Sequence, residues 1–313
     1  MKRFIIEQSD DEFYSSTSGI ALVGLALNRF TSMAPSLSKA APLSHGITHA
    51  DVMRSYCALL AQGKSDFAAV EQHRADDFFH EALGISQVPS EATLRQRMDD
   101  HAEAFKPVVS WSIIEFLTKT ESPLTPLSTG HIALDIDGFA MDNSDTKKEG
   151  VSRTYRNFDG YLALAAYLAN EGWLIECPLF PGSQHPQKDF IPFLQRVLAK
   201  VRQITKERVL LRADSAHDAL GNRVELSRHA GVDYIIKWNP RKQDLEAWRQ
   251  QAFSQGKVET PRPGKRVSTF SITEDSFRRV MRVTERTISK KGQPLLLSEI
   301  EIEGWWTSLE VSD

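Results

Sequence analysis

The sequence predicts a mixed α/β fold: a helical N-terminal part, then a mixed sheet with flanking helices, then a β-rich insertion. Three observations lead there. From Thr48 to residue 120 the apolar residues recur at three- and four-residue steps, and beyond the break Ser122-Pro123-Leu124-Thr125-Pro126 the spacing becomes that of strands. Two strand-length apolar runs, His131 to Met141 and Val209 to Ser215, each deliver a carboxylate followed by a small residue, Asp137-Gly138 and Asp214-Ser215. Around and after these runs, strand and helix patterns alternate.

With 313 residues, 41% of them hydrophobic, the chain is long enough for two or three domains with sizeable cores. No apolar run approaches the ~20 residues needed to span a bilayer, and the N-terminus reaches Asp10-Asp11-Glu12 instead of an apolar signal core. A cytoplasmic protein without a membrane partner is expected. The two cysteines, Cys57 in a helical pattern and Cys177 in a strand pattern, suit buried reduced thiols better than a disulfide or zinc site. The net charge of −3 does not suggest a nucleic-acid binder, but its distribution is uneven. Residues 1–130 carry 11 basic and 16 acidic side chains, whereas residues 257–291 carry 10 and 4. A basic stretch in an acidic protein is compatible with polyanion binding through one face, or with ordinary solvated surface.

In chain order, residues 1–45 read as an arm with one apolar segment, Gly19 to Leu27, and a Ser/Ala/Pro-rich connector, Met33 to Ser44. From residue 46 to 125 the pattern is helical, with helices from Thr48, over Ser65–His73, over Ala75–Leu83 and over 103–120. Between the last two, Ser90 is an N-cap with Glu91 in the first turn, and the helix it starts presents Thr93, Arg95, Gln96 and Arg97. That is either a recognition helix of a helix-turn-helix, with Arg and Gln reading base edges, or an amphipathic helix with solvated arginines.

After the break, strands are expected over 131–141, 160–169 and 173–180, with Asn170-Glu171-Gly172 as a hairpin signal. A helix over Asp189–Ile204, a strand over Arg208–Asp214, a helix near Asp218–Ala230 and a strand over Asp233–Lys237 follow. Three antiparallel strands followed by helix, strand, helix, strand is the order of a ribonuclease H-like fold, placed at 128–240. In that order the first and fourth strands are neighbours, so Asp137 and Asp214, 77 residues apart, can share Mg²⁺, which prefers hard oxygen ligands. His185 and His217 read as loop and helix-start residues, since their neighbours lack a third nitrogen or thiolate ligand. Residues 241–313 read as a linker and β-rich insertion, with strands over 267–272, 277–288 and 295–302. Trp305-Trp306 reads as core, partner surface or stacking platform.

At these residues the chain resembles the Asp-Asp-Glu class of bacterial insertion-sequence transposases, from about Ser44 to its end. The likeness rests on Leu134-Asp135-Ile136-Asp137, Phe158-Asp159-Gly160-Tyr161, Phe180-Pro181-Gly182-Ser183-Gln184-His185 and Leu211-Arg212-Ala213-Asp214-Ser215, in that order. It implies cleavage of transposon ends by water attack on a phosphodiester, then transfer of the 3′ hydroxyl to target DNA. The partners implied are terminal inverted repeats and target DNA, with a homodimer on paired ends as one arrangement. Asp137 and Asp214 would be the catalytic, metal-holding acids, with Mg²⁺ as cofactor and Mn²⁺ able to substitute. Lys265, Arg266, Arg278 and Arg279 on the inserted strands, with Arg95, Gln96 and Arg97, would contact DNA.

The departures from the family pattern are three. Phe139 stands where a Thr is common. Asp135 lies two residues before Asp137, on the same side of a strand, and is the alternative to it. The third acid is expected on a helix with a Tyr, Arg and Glu signature beyond the inserted strands, and only Glu310 and Asp313 remain there. The resulting expectation is a truncated transposase, inactive or incomplete as it stands. A DNA-binding remnant that regulates an intact transposase, or a ribonuclease H-like nuclease, is the rival reading.

Overall fold

A computed structural model describes residue 10 and residues 17–185, 187–289 and 291–310. Asp313 and most of residues 1–16 lie outside the described residues. The chain divides into two compact units, Met1–Ser122 and Pro123–Asp313.

The first unit is helical: α1 (Ile20–Phe30), α2 (Met33–Ala40), α3 (His49–Ala61), a 3-10 helix (Phe67–His73), α4 (Asp77–Leu83), α5 (Glu91–Asp100) and α6 (Ala102–Lys119). Side-chain caps set several starts. Thr48 Oγ1 accepts from the Asp51 amide at 3.0 Å, an Asp76 oxygen from Phe79 at 3.1 Å, and Ser90 Oγ from Thr93 at 3.2 Å. Gly84, with φ of 62°, ends α4 in the left-handed conformation. Val52, Leu59, Val70, Phe79, Leu83 and Leu94 are fully buried in its core.

Two expectations change here. The Ser/Ala/Pro-rich segment is not a connector but contains α2. Pro35 falls in its first turn, where no backbone donor is required, and Met33 and Leu37 are buried. The start is fixed from outside, because the Glu115 carboxylate accepts from both the amide and the hydroxyl of Ser32 at 2.7 Å. The helix expected over Ser65–His73 is a 3-10 helix begun by Asp66.

The second unit holds one eleven-stranded sheet. Its strands are β1 (Ile132–Asp142), β2 (Ser152–Arg153), β3 (Asp159–Leu168), β4 (Trp173–Glu176), β5 (Leu179–Pro181), β6 (Val209–Ala213), β7 (Val232–Lys237), β8 (Lys257–Arg262), β9 (Lys265–Glu274), β10 (Phe277–Ile288) and β11 (Pro294–Thr307). The strand expected over 173–180 is two strands, since Cys177-Pro178 separates β4 from β5 and Pro178 has no amide to give the ladder. Both pair with β3, which pairs antiparallel with β1; β1 runs parallel to β6, and β6 to β7. Helix α7 (Phe190–Ile204) connects β5 to β6, and α8 (Leu220–Ser227) connects β6 to β7. This is the strand order of the ribonuclease H-like fold.

The inserted strands extend the same sheet. Trp305–Thr307 of β11 pair antiparallel with Ile235–Lys237 of β7, so the order runs β2-β3-β1-β6-β7-β11-β10-β9-β8. The region expected as linker contains α9 (Leu245–Gln255), started by Asp244, whose carboxylate accepts from the amides of Glu246 and Ala247. Only Ala252 of α9 is buried, so its sequence has little of the apolar periodicity that identifies a helix.

Candidate active site at the ends of β1 and β6

The parallel ladder between β1 and β6 runs from Ile132 opposite Val209 to Ile136 opposite Ala213. The next residue in each chain segment is a carboxylate, Asp137 still within β1 and Asp214 just past the end of β6. Register alone therefore sets the two acids side by side at one edge. Beyond that point β1 continues against β3, with Asp137 opposite Ala165, while β6 ends and Asp214 starts a short 3-10 turn, Ser215–His217. One Asp214 oxygen accepts from the Ala216 amide at 3.0 Å, and the carboxylate remains 54% exposed. Asp137 is exposed, and among the described residues no side chain pairs with it.

Asp135 is placed differently. It stands opposite Arg212 in the ladder, whose Nε and Nη2 donate to its two oxygens at 2.5 and 2.6 Å. Both lone-pair faces of Asp135 are thus committed to a guanidinium fork, which holds the Arg212 proton more firmly than usual. Of the two alternatives on β1, Asp137 is the one with an uncommitted carboxylate.

A cavity of about 520 Å³ adjoins the acids, with Gly138, Tyr155, Ser183, His185, Asp214 and His217 among its walls. His185 lies exposed in a loop and accepts from the Gln187 amide at 3.2 Å. His217 is fully buried, stacked on Phe190 at 4.1 Å, with Nε2 3.8 Å from Asp214 Oδ1. Burial pushes its pKa down to about 4, against the pull of the Asp137 charge and with the help of His185. Among the described residues no group of three His, Cys, Asp or Glu gathers as a metal cluster.

The glycine-containing motifs build the wall. A Cβ at Gly160 would stand 1.9 Å from the Met141 carbonyl oxygen, and one at Gly182 would stand 2.3 Å from that of Ser152. Both positions require glycine so that backbones can touch. Sequence reasoning missed the clamp behind Asp214. Gln187 Nε2 donates to the Ala216 carbonyl at 2.7 Å, and Asn222 Nδ2 donates to Gln187 Oε1 at 2.9 Å and to the His217 carbonyl at 2.8 Å. No spacing signal marks a loop glutamine and a helix-start asparagine as partners. Phe139, at the position where a Thr is common, is 37% exposed and faces Ala163 across the ladder.

The expected DNA contacts scatter. Arg95 and Gln96 are exposed on α5, but the same shallow face carries Glu91, Asp99 and Asp100, and Arg95 already bonds Glu91 at 2.9 Å. Arg97 is half-buried beside Gly46, off that face. Lys265 is half-buried, and Arg266 is exposed but pairs with Glu285 at 3.2 Å and lies over Phe253. Arg278 donates to the Leu309 carbonyl at 2.9 Å. Arg279 corrects the expectation of an open strand face. Its residue is 5% exposed, and its guanidinium lies against Trp238, Trp248 and Trp306. Trp306 is core, 3% exposed.

Residues 14–296 match the family described as transposase DDE domain group 1. The chain belongs to the transposase DDE domain family. No curated protein matches it. Among solved structures, it is similar to the piggyBac transposase in a synaptic complex with hairpin DNA, at 9% identity and a TM-score of 0.39. That likeness covers 99% of this chain, which spans 55% of the other.

Proposed function

We propose that the chain acts as an insertion-sequence transposase, cutting transposon ends by phosphodiester hydrolysis and joining the freed 3′ hydroxyl to target DNA, in the cytoplasm. The observation that carries this reading is the ladder register that makes Asp137 and Asp214 neighbours at a sheet edge, in a chain of this family. Their hard oxygen donors fit Mg²⁺, with Mn²⁺ as substitute, better than a softer ion. When bound there, the cation supplies a nucleophilic water and charge stabilisation at the phosphate. Asp137 and Asp214 bind and orient it. Gln187 and Asn222 hold the turn that aims Asp214. Arg212 neutralises Asp135, which removes a negative charge that would repel the DNA backbone.

Transposon ends and target DNA are the proposed partners, with binding through the second unit in preference to α5, whose face is acidic. Because no third acid gathers with Asp137 and Asp214 among the described residues, we expect slow cleavage by the chain alone. A labelled duplex carrying candidate terminal repeats, assayed for binding and for cleavage in Mg²⁺ or Mn²⁺ at fixed salt, tests both parts. Preference for the repeats over random DNA, with little cut product, is expected. Robust cleavage that Asp214→Asn abolishes would contradict the incomplete-site part. Indifference to every candidate repeat, with unspecific cutting, would replace the transposase reading by a nuclease.

A further inference from the structure

We infer that a second cavity in the sheet unit, walled by Arg223, Arg279 and Trp306, binds a phosphate group of a DNA strand. The inference rests on the reading that this chain works on DNA. The cavity has a volume of about 620 Å³ and opens beside the start of α8 and the end of β7, where Asp218 and Asn239 line it. Asp218 follows Asp214 by four residues, so the cavity lies at the same edge of the sheet as the acids.

Two guanidinium groups are desolvated against one indole. Arg223 and Arg279 are each 5% exposed, with Cζ atoms 3.8 and 4.6 Å from the Trp306 ring centre. Burying like charges together is unfavourable unless anions or hydrogen bonds compensate. Compensation from within the chain is partial. Arg223 Nη1 bonds Asp218 at 2.8 Å, and Arg279 Nη2 bonds Glu274 at 2.9 Å. Asp218 also accepts from the Asn239 amide at 2.8 Å, and Glu274 is 54% exposed. Among the described residues the buried Nε of each arginine, and Nε1 of Trp306, lack a hydrogen-bond partner.

Arg241, exposed at the cavity wall, adds a third guanidinium, so three cations face two carboxylates. Burial lowers the Arg279 pKa; the Glu274 and Asp218 charges pull it back up, and the nearby Arg223 charge lowers it. The acceptor that suits several planar forks at once is a tetrahedral anion with three or more oxygens, because a carboxylate supplies only two. Phosphate meets that demand, and a DNA strand passing Asp137 and Asp214 carries one at every step.

Tryptophan fluorescence titrated with a short single-stranded oligonucleotide, and separately with inorganic phosphate, tests the assignment. Wild type is expected to saturate with the oligonucleotide. Arg279→Met should weaken binding about tenfold and the exposed Arg241→Ala roughly fivefold, while Arg262→Ala, an equal charge change on β8, stays within about twofold. Glu274→Gln, which removes a competing carboxylate, should tighten it. Oligonucleotide binding by Arg241→Ala and by a folded Arg279→Met equal to wild type overturns the site while leaving the DNA reading standing. Saturation by inorganic phosphate at lower concentration than by the oligonucleotide overturns the assignment to DNA. If wild type binds no oligonucleotide, the DNA reading falls and takes the site with it.

Discussion

Asp135 and Asp137 show what a single strand can and cannot decide. A two-residue period puts both carboxylates on one side of β1, so the sequence leaves them as alternatives. What separates them is the residue opposite: Arg212 faces Asp135 in the ladder and takes both of its oxygens. Asp135→Asn should therefore cost about 1 kcal/mol or less, because the pair is partly exposed, and should leave divalent-ion binding intact. Denaturant unfolding beside a Mn²⁺ titration checks both parts. Gly160 shows the opposite behaviour, since its motif was legible but its reason was not. With a Cβ 1.9 Å from the Met141 carbonyl, Gly160→Ala should lose about 3 kcal/mol or more, seen as a large fall in melting temperature. A change within a degree or two would mean that β1 and β3 can move apart there.

Among the elements, α7, with its strong apolar period, and the long or densely apolar α6, β1, β6 and β7 were legible and lie within a few residues of their expected bounds. Those held by other means were not. Helix α2 depends on Glu115, far away in sequence, and α9 on its cap and a single buried alanine. The basic stretch of the insertion was legible as charge but not as surface. Arg266, Arg282 and Arg286 are paired with Glu285, Glu303 and Glu301 inside the sheet, so much of the apparent excess is internally balanced. On α5 the acids around Arg95 lead to the expectation that Arg95→Ala changes DNA affinity by less than about threefold at fixed salt. A loss of tenfold or more would restore α5 as a principal DNA contact. The thiols give a second check at this scale. Burial pushes Cys57 on α3 up to about 11 and also raises Cys177, between β4 and β5, but Cys177 is the exposed one of the two. A thiol reagent at mildly alkaline pH should modify Cys177 and reach Cys57 only in denaturant; two equally fast reactions would contradict the packing of α3.

For the whole molecule, the ribonuclease H-like strand order was readable because each connection is short and locally patterned. The join of β11 to β7 was not, since it links residues about 70 apart through Trp305–Thr307, whose burial no local period announces. The helical unit carries a pH signature of its own. His49 and His73 are buried, and burial, the largest cause for each, lowers their pKa below the ordinary 6.5. The folded state then takes up protons at lower pH than the unfolded one, so stability is full above 6.5 and is lost as pH falls below it. Melting temperature should drop between about pH 7.5 and about pH 5.5, and the drop should shrink in His49→Leu. A flat profile would mean that these imidazoles protonate in place.

The central claim is that the register of β1 and β6 makes one site of Asp137 and Asp214, with Asp135 excluded by Arg212. The most direct measurement is Mn²⁺ binding followed by electron paramagnetic resonance for wild type, Asp135→Asn, Asp137→Asn and Asp214→Asn. A bound-ion signal that survives in Asp135→Asn and is lost in each of the other two variants is expected. Binding retained in Asp137→Asn and lost in Asp135→Asn would contradict it.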